Sequence, residues 1–485
     1  MLNRFLNKYK NMALPLKAAF WFTVCNLILK GISFITVPIF TRIMSDIEYG
    51  KLSLFLSFEQ LFLILATWEI QMGAYQKGLF KYKDETKLFT ISTQALVNVL
   101  SLSFFIILFC CNNFVVQFTG MSRKILLFLL IYILLQPSYN CWLIRKRTIY
   151  CYRISVIVTI FYALINVAIP MGALFLISKT AEVRFVSTMI CSSLMFIVFY
   201  FPNAKYWVLV QNFERVKEHW VFLIRFEAPL VLHSLSYLVL SQADRVMIGK
   251  MVGEAQAAYY SVAYSIGSVV SILQNSINQA LIPWIYEMLE KKQYRKIGEI
   301  INYLLILVGG IMLIFILIAP EIMKILFDKN YYEAIWCIPP IVMGVFFMFL
   351  YSIFVNIESY YEKTKYVMYV SVSCGLINIL LNYVCIKIWG YIACGYTTMI
   401  CYILFAIGHY SFMKRTIKIA GIKENIFDCK EIIIISLLTL FVGILFTILY
   451  NFKFVRWGIL GVALLGIFLM KNKIIYLKSI LKEKQ

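Results

Sequence analysis

Arg153-Ile-Ser-Val-Ile-Val-Thr-Ile-Phe-Tyr-Ala-Leu-Ile-Asn166 and Lys365-Tyr-Val-Met-Tyr-Val-Ser-Val-Ser-Cys-Gly-Leu-Ile-Asn378 run in step. Each leaves a cation, crosses an apolar stretch and arrives at Leu-Ile-Asn with the same spacing. A second pair keeps the order: Arg42-Ile-Met ahead of Glu48-Tyr-Gly, and Arg245-Val-Met ahead of Tyr259-Tyr-Ser. Both pairs are shifted by about two hundred residues, and self-similarity at a fixed separation marks a duplicated architecture.

Reading outward for apolar runs of about 17–25 residues, the length that crosses a bilayer, gives about fourteen. They fall near 18–40, 52–72, 88–111, 125–144, 154–177, 185–201, 222–241, 257–283, 300–320, 335–357, 366–386, 390–412, 431–450 and 454–470. Six runs make one repeat, an even number, so both copies enter the membrane from the same side. Parallel repeats of this kind are related by an axis along the membrane normal. The expected fold is an all-α polytopic membrane protein of about 14 transmembrane helices. It has a six-helix lobe over 1–205, a second over 206–415, and an extra helix pair with a basic tail over 416–485.

Composition agrees. Of 485 residues, 62% are hydrophobic and only 14% charged, against roughly 45–50% apolar and about 25% charged in soluble chains. No interior is large enough to hide that excess. A soluble globular protein, a disordered chain and a secreted disulfide scaffold are excluded.

The formal net charge of +22, from 46 Lys and Arg against 24 Asp and Glu, would suggest nucleic acid in a soluble protein. In a membrane protein the positive-inside bias produces it unaided. With the N-terminus inside, the inner segments hold 31 Lys and Arg and the outer loops 13, while Lys30 and Arg225 lie within runs. That bias predicts cytoplasmic N- and C-termini and an even number of helices, with no nucleic-acid partner. The first run reads as a retained helix rather than a cleavable signal. Many of the 12 cysteines, Cys25, Cys191 and Cys401 among them, sit inside apolar runs as small hydrophobes. The three histidines, His219, His233 and His409, share no metal-ligand spacing with them. No metal and no cofactor are expected.

A charge at mid-bilayer is expensive and should face a cavity or a partner. Lys30 lies about 18 Å into its run at 1.5 Å per residue, too deep to snorkel. It faces either an aqueous cavity or Glu59, which descends from the other side to similar depth. Arg225 and Glu227 open the seventh run near its inner edge, where interfacial and luminal positions are both open. Pro229 follows as a kink site, and His233 is either a proton carrier or a hydrogen-bonded structural residue. Glu69 divides between cavity and interface. Gln274, Asn275, Asn278 and Gln279 recur on one helical face, as interhelical bonds or a pathway lining. Asn166, Asn378 and Asn382 read as packing residues.

Thr41-Arg42-Ile-Met-Ser45-Asp-Ile-Glu48-Tyr49-Gly50 resembles the segment closing the first helix of bacterial polysaccharide transporters. Asp244-Arg245-Val-Met-Ile-Gly249 with Ala258-Tyr-Tyr260-Ser261-Val-Ala263 is similar to their signature after the seventh helix. Glu358-Ser-Tyr-Tyr-Glu-Lys-Thr364-Lys with Asn378-Ile-Leu-Leu-Asn382 resembles the approach to their eleventh. The chain thus looks like a Wzx-type flippase, in the superfamily that also holds MATE multidrug exporters and lipid II flippases.

The resemblance implies twelve core helices in two lobes around a V-shaped cavity, lined by helices one, two, seven and eight. It implies alternating access in the bacterial cytoplasmic (inner) membrane, carrying an undecaprenyl-pyrophosphate-linked oligosaccharide such as an O-antigen repeat unit from the cytoplasmic to the outer leaflet. An ion gradient, of protons or sodium, or the membrane potential would drive it. A polysaccharide polymerase and a chain-length regulator are the implied partners. Lys and Arg suit a pyrophosphate, so Lys30 and then Arg225 are assigned to it, with Gln274 and Asn278 lining the path. Glu59, Glu69, Glu227 and His233 are ion-coupling candidates; Arg42, Asp244 and Arg245 are anchors or gates at the outer ends. The nearest alternative is a multidrug or cation antiporter of the same superfamily. A membrane-embedded polymerase or acyltransferase is the alternative from another class, though no catalytic cluster stands out and the longest loops are about twenty residues. No Walker-type loop is present in the sequence, so the chain itself is not expected to hydrolyse ATP.

Overall fold

Apolar runs of this length satisfy their backbone internally as helices, which lipid demands. The computed structural model describes residues 14–361, 364–422 and 424–469, and among these the chain is helical, with no strand. In order come α1 (Leu14–Ile43), α2 (Asp46–Thr67), short α3 (Ala74–Lys81), α4 (Thr86–Cys110), short α5 (Asn112–Thr119), α6 (Arg123–Thr148), α7 (Tyr152–Leu176) and α8 (Ala181–Tyr200). Then follow short α9 (Trp207–Gln211), α10 (Phe213–Met251), α11 (Glu254–Glu290), α12 (Tyr294–Leu326), α13 (Ile338–Tyr360), α14 (Thr364–Trp389), α15 (Ala393–Ile419), α16 (Cys429–Ile448) and α17 (Lys453–Leu469).

Each expected run falls on one of the longer helices. Among the described residues ten helices are long and apolar enough to cross a membrane, or eleven if the two arms of α10, Phe213–Ala228 and Leu230–Met251, count as one span bent by 42°. The helices below that mark are α11 and α15, where Tyr, Ser, Thr and amide side chains dilute the apolar run, and α17, of which 17 residues are described. Pro229 stands at the bend of α10. Boundaries follow ordinary capping: Ser45 accepts from the Glu48 amide at 3.3 Å and Asp428 from the Lys430 amide at 2.8 Å. Gly390, at φ 73°, ends α14 in the left-handed region.

The chain divides into two compact units. The first takes residues up to Val262 together with Val367–Tyr391, so α1–α10, the start of α11 and most of α14. Its core joins Phe55, Phe58, Phe62, Tyr132, Tyr139, Phe185 and Phe196. The two Leu-Ile-Asn stretches both serve this unit. Asn166 on α7 accepts from Ser192 of α8 at 3.0 Å, and Asn378 on α14 accepts from Asn382 at 3.2 Å.

The second unit takes Ala263–Tyr366 and everything from Ile392. In it α13 lies against α15, with small residues at the seam: an added Cβ at Gly395 would stand 2.9 Å from Pro340, and one at Gly344 3.3 Å from Tyr402. Close backbone approach of this kind is how membrane helices gain packing energy. The helix α17 is tied to α12 by buried Arg456, which donates to both Glu321 carboxylate oxygens at 2.7 Å and to the Leu317 carbonyl at 2.7 Å.

Candidate functional site

Where α2 stops, carboxylates of α10 and of the following turn come close together. Trp68 and Glu69, at φ 53° and 51°, take the left-handed region that bulky residues rarely adopt, and the Thr67 hydroxyl accepts from the Glu69 amide at 3.1 Å. After six turn residues α3 begins, and its first free amide, on Ala74, donates to Glu227 Oε2 of α10 at 2.8 Å. A carboxylate at a helix start satisfies an orphan donor and complements the helix dipole. The approach is tight enough that a Cβ at position 73 would stand 2.9 Å from the same oxygen, which accounts for Gly73.

Past the bend of α10, Ser234 donates to Glu69 Oε2 at 2.7 Å, and His233 Nδ1 lies 3.1 Å from the Ser371 hydroxyl of α14. A cavity of about 300 Å³ opens here, with Gln60, Glu69, His233, Ser234, Tyr237 and Ser241 among its lining residues. Glu69, Glu227 and His233 are therefore neighbours around one break, and Glu69 acts electrostatically on Glu227. One carboxylate, an imidazole and hydroxyls lining a small cavity, with the Glu227 carboxylate close by at the start of α3, have the chemistry to hold a cation or exchange a proton.

Below the bend, the segment from α3 to the start of α4 runs along the other arm of α10. Lys77 and Lys81 stand over the Phe226 and Phe222 rings at 5.0 and 4.5 Å. Glu85 pairs with Arg215 at 3.1 Å. Arg225, on this arm, is exposed.

Glu59 and Lys30 are not brought together. Lys30 is exposed on α1, and no ion pair joins it to Glu59. Glu59 is buried on α2 against Tyr132, with the Arg184 guanidinium acting on it from α8. Arg184 itself lies over the Phe40 ring at 4.2 Å. Arg184 falls between two apolar runs of the sequence, and no local pattern there signals its contact with the Phe40 ring.

The two signature segments meet each other. Tyr259 donates to Asp46 at 2.8 Å, the Ser53 and Ser261 hydroxyls lie 2.5 Å apart, and a Cβ at Gly50 would stand 1.8 Å from the Glu254 carbonyl oxygen. Asp244 is buried and accepts from the Tyr260 hydroxyl of α11 and from Asn382 of α14, the latter at 2.6 Å. Arg245 donates to the Ser241 carbonyl at 2.5 Å and to Gln242 at 2.6 Å, and Gln242 donates on to Gln60 of α2 at 2.9 Å. Arg42 is exposed at the end of α1.

In the second unit, Gln274 is buried and Asn278 accepts from Asn356 of α13 at 2.8 Å, while Asn275 and Gln279 are exposed. A buried pair that sequence reasoning passed over, Glu358 and His409, joins α13 to α15.

Comparison with known proteins bears on these residues. The family model described as polysaccharide biosynthesis protein matches residues 16–289, and the MatE family model matches 229–384. A protein of the Lsg locus of Haemophilus influenzae is 22% identical over 356 residues, covering 72% of this chain and 86% of that protein. An uncharacterized membrane protein of the same organism is 23% identical over 358 residues, covering 72% and 84%. Among solved structures, the lipid II flippase MurJ in an inward closed conformation aligns with a TM-score of 0.62 at 14% identity, over 90% of this chain and 99% of that one. A multidrug resistance MATE family transporter in an inward-facing conformation aligns at 0.57 and 12% identity, over 82% and 96%.

Proposed function

The chain belongs to the polysaccharide biosynthesis protein family of the multidrug/oligosaccharidyl-lipid/polysaccharide superfamily, and from that premise we propose that it is a flippase for lipid-linked oligosaccharide. Its cargo is an undecaprenyl-pyrophosphate-linked repeat unit, moved by alternating access from the cytoplasmic to the outer leaflet of the bacterial inner membrane. The termini are cytoplasmic, and the lobes are 1–205 and 206–415, as the repeat reads. A polymerase and a chain-length regulator would take up the product.

The family match over 16–289 carries this reading, because that segment holds both signature motifs and two of the cations that lie within apolar runs, Lys30 and Arg225. Physical logic supports it. A pyrophosphate and many hydroxyls must cross hydrocarbon while the polyprenyl tail stays in lipid, and cations in a wet cleft lower that barrier. Lys30 and Arg225 are assigned to the pyrophosphate, Gln274 and Asn278 to sugar hydroxyls. Glu69, Glu227 and His233 are assigned to the coupling ion, a proton or sodium, with Glu59 as a further candidate. Arg42, Asp244 and Arg245 are assigned to the outer gate.

The test is display of surface polysaccharide in cells lacking their own transporter. The chain restores display, Lys30→Ala lowers it and Lys30→Glu abolishes it. Normal display with Lys30→Glu would sink the role of Lys30. A second reading, cation or drug antiport, draws on the MatE match over 229–384 and the acidic cavity by Glu69. It predicts resistance to cationic dyes in a pump-deficient host, with no restored polysaccharide.

A further inference from the structure

Glu358, near the C-terminal end of α13, and His409, on α15, both have side chains with 0% exposure, and His409 Nδ1 lies 3.0 Å from Glu358 Oε2. Tyr351 stacks on the imidazole at 5.7 Å between centroids and Phe405 packs on it at 5.6 Å. Tyr402 stacks on Tyr351 in turn. Tyr410, next in the chain, packs on Phe354 and interacts with Cys429 and Asp428. The imidazole of His409 is the side chain that acts on the Glu358 carboxyl. The other two polar atoms of the pair, Glu358 Oε1 and His409 Nε2, are buried without a hydrogen-bond partner, as is Thr416 Oγ1 two turns further along α15.

Protonation decides whether this arrangement is tolerable. One proton shared between Oε2 and Nδ1 leaves the pair neutral overall, as imidazolium with carboxylate or imidazole with carboxylic acid. Without that proton a carboxylate charge stands alone in an apolar seam, which burial penalises severely. Rings close the seam around the pair, with Tyr351 and Phe405 packed on the imidazole, and about four turns away Gly344 and Gly395 bring α13 and α15 into close approach. Deprotonation then favours loosening of the two helices and entry of water, for which the three unpartnered atoms are ready acceptors or donors.

We propose that Glu358 and His409 form a proton-binding site in the second unit, reached from the end of α15 that carries Thr416, whose occupancy sets how tightly α13 packs on α15. The ligand is one proton, taken from water and returned to it. The site is separate from Glu69, Glu227 and His233 and does not depend on what the protein carries.

Infrared difference spectroscopy of the full-length protein in lipid nanodiscs, recorded across a pH series, tests it without any substrate. The wild type is expected to show a carboxyl band and an imidazole band that titrate together. Glu358→Gln removes that carboxyl band. His409→Gln keeps the band and moves its midpoint by about one pH unit or more, since the group that shares the proton has been removed. Both substitutions nearly preserve volume, and a melting curve of each reports folding. If one variant does not fold, the other still decides. Spectra of the folded variants that superimpose on wild type, or a wild-type pair that titrates nowhere in the series, would overturn the proposal.

Discussion

Asp244 accepts hydrogen bonds from Tyr260 and Asn382, each on a different helix, in a buried position. Its replacement by alanine strands two buried donors, a loss of about 1–3 kcal/mol for each group left unsatisfied. Asp244→Ala is therefore expected to melt well below wild type in detergent, and Asp244→Asn less so, because an amide oxygen still accepts one bond. Equal melting of Asp244→Ala and wild type would remove the residue from its anchoring role. Gly50 makes a sharper case. Its missing side chain lets α2 lie against the Glu254 carbonyl, and a methyl there would stand 1.8 Å from that oxygen. Gly50→Ala should lower the yield of folded protein and its melting temperature. Gly31→Ala, where nothing lies within 4 Å, should be neutral or raise stability by up to about 1 kcal/mol.

At the scale of elements, the short helix α3 depends on a partner. An eight-residue helix is marginal alone, and its first amide is held by Glu227 of α10. Glu227→Ala is expected to raise hydrogen exchange across 74–81 by roughly tenfold, the factor that about 1.4 kcal/mol of local opening energy supplies, while exchange in α13 stays unchanged. No change over 74–81 would show that α3 is held by its apolar face alone. The long helices were legible in the sequence because apolar run length alone dictates them. The reversal at Trp68 and Glu69 was not, since neither residue type favours the left-handed region and only the surrounding contacts hold it there. The motif residues were legible as special, yet the contact of Gly50 with Glu254 joins positions far apart in the chain. The Glu358 and His409 pair was hidden for the same reason, its members being 51 residues apart with no local pattern between them. Lys30 and Glu59 show what depth alone leaves open: it allowed either an aqueous cavity or an ion pair for Lys30, and it says nothing of which way two helices turn their faces.

At the scale of the molecule, the apolar excess is that of a multi-pass membrane chain, and the +22 charge is what the proposed orientation, with its cations gathered on the inner side, would produce. Two features of the chain enter the proposed function together: the cations Lys30 and Arg225, and the cavity lined by Glu69 and His233 beside the bend of α10. The central claim, that this combination serves to move a lipid-linked saccharide, is tested most directly in sealed vesicles. Full-length protein is reconstituted with a polyprenyl-pyrophosphate-linked oligosaccharide whose sugar is labelled in one leaflet, and an impermeant reagent scores how much label reaches the other. Transfer well above protein-free vesicles, lost in Lys30→Glu, is the predicted result. Transfer no faster than in empty vesicles, from protein that exchanges a cationic dye for protons in the same preparation, would contradict it.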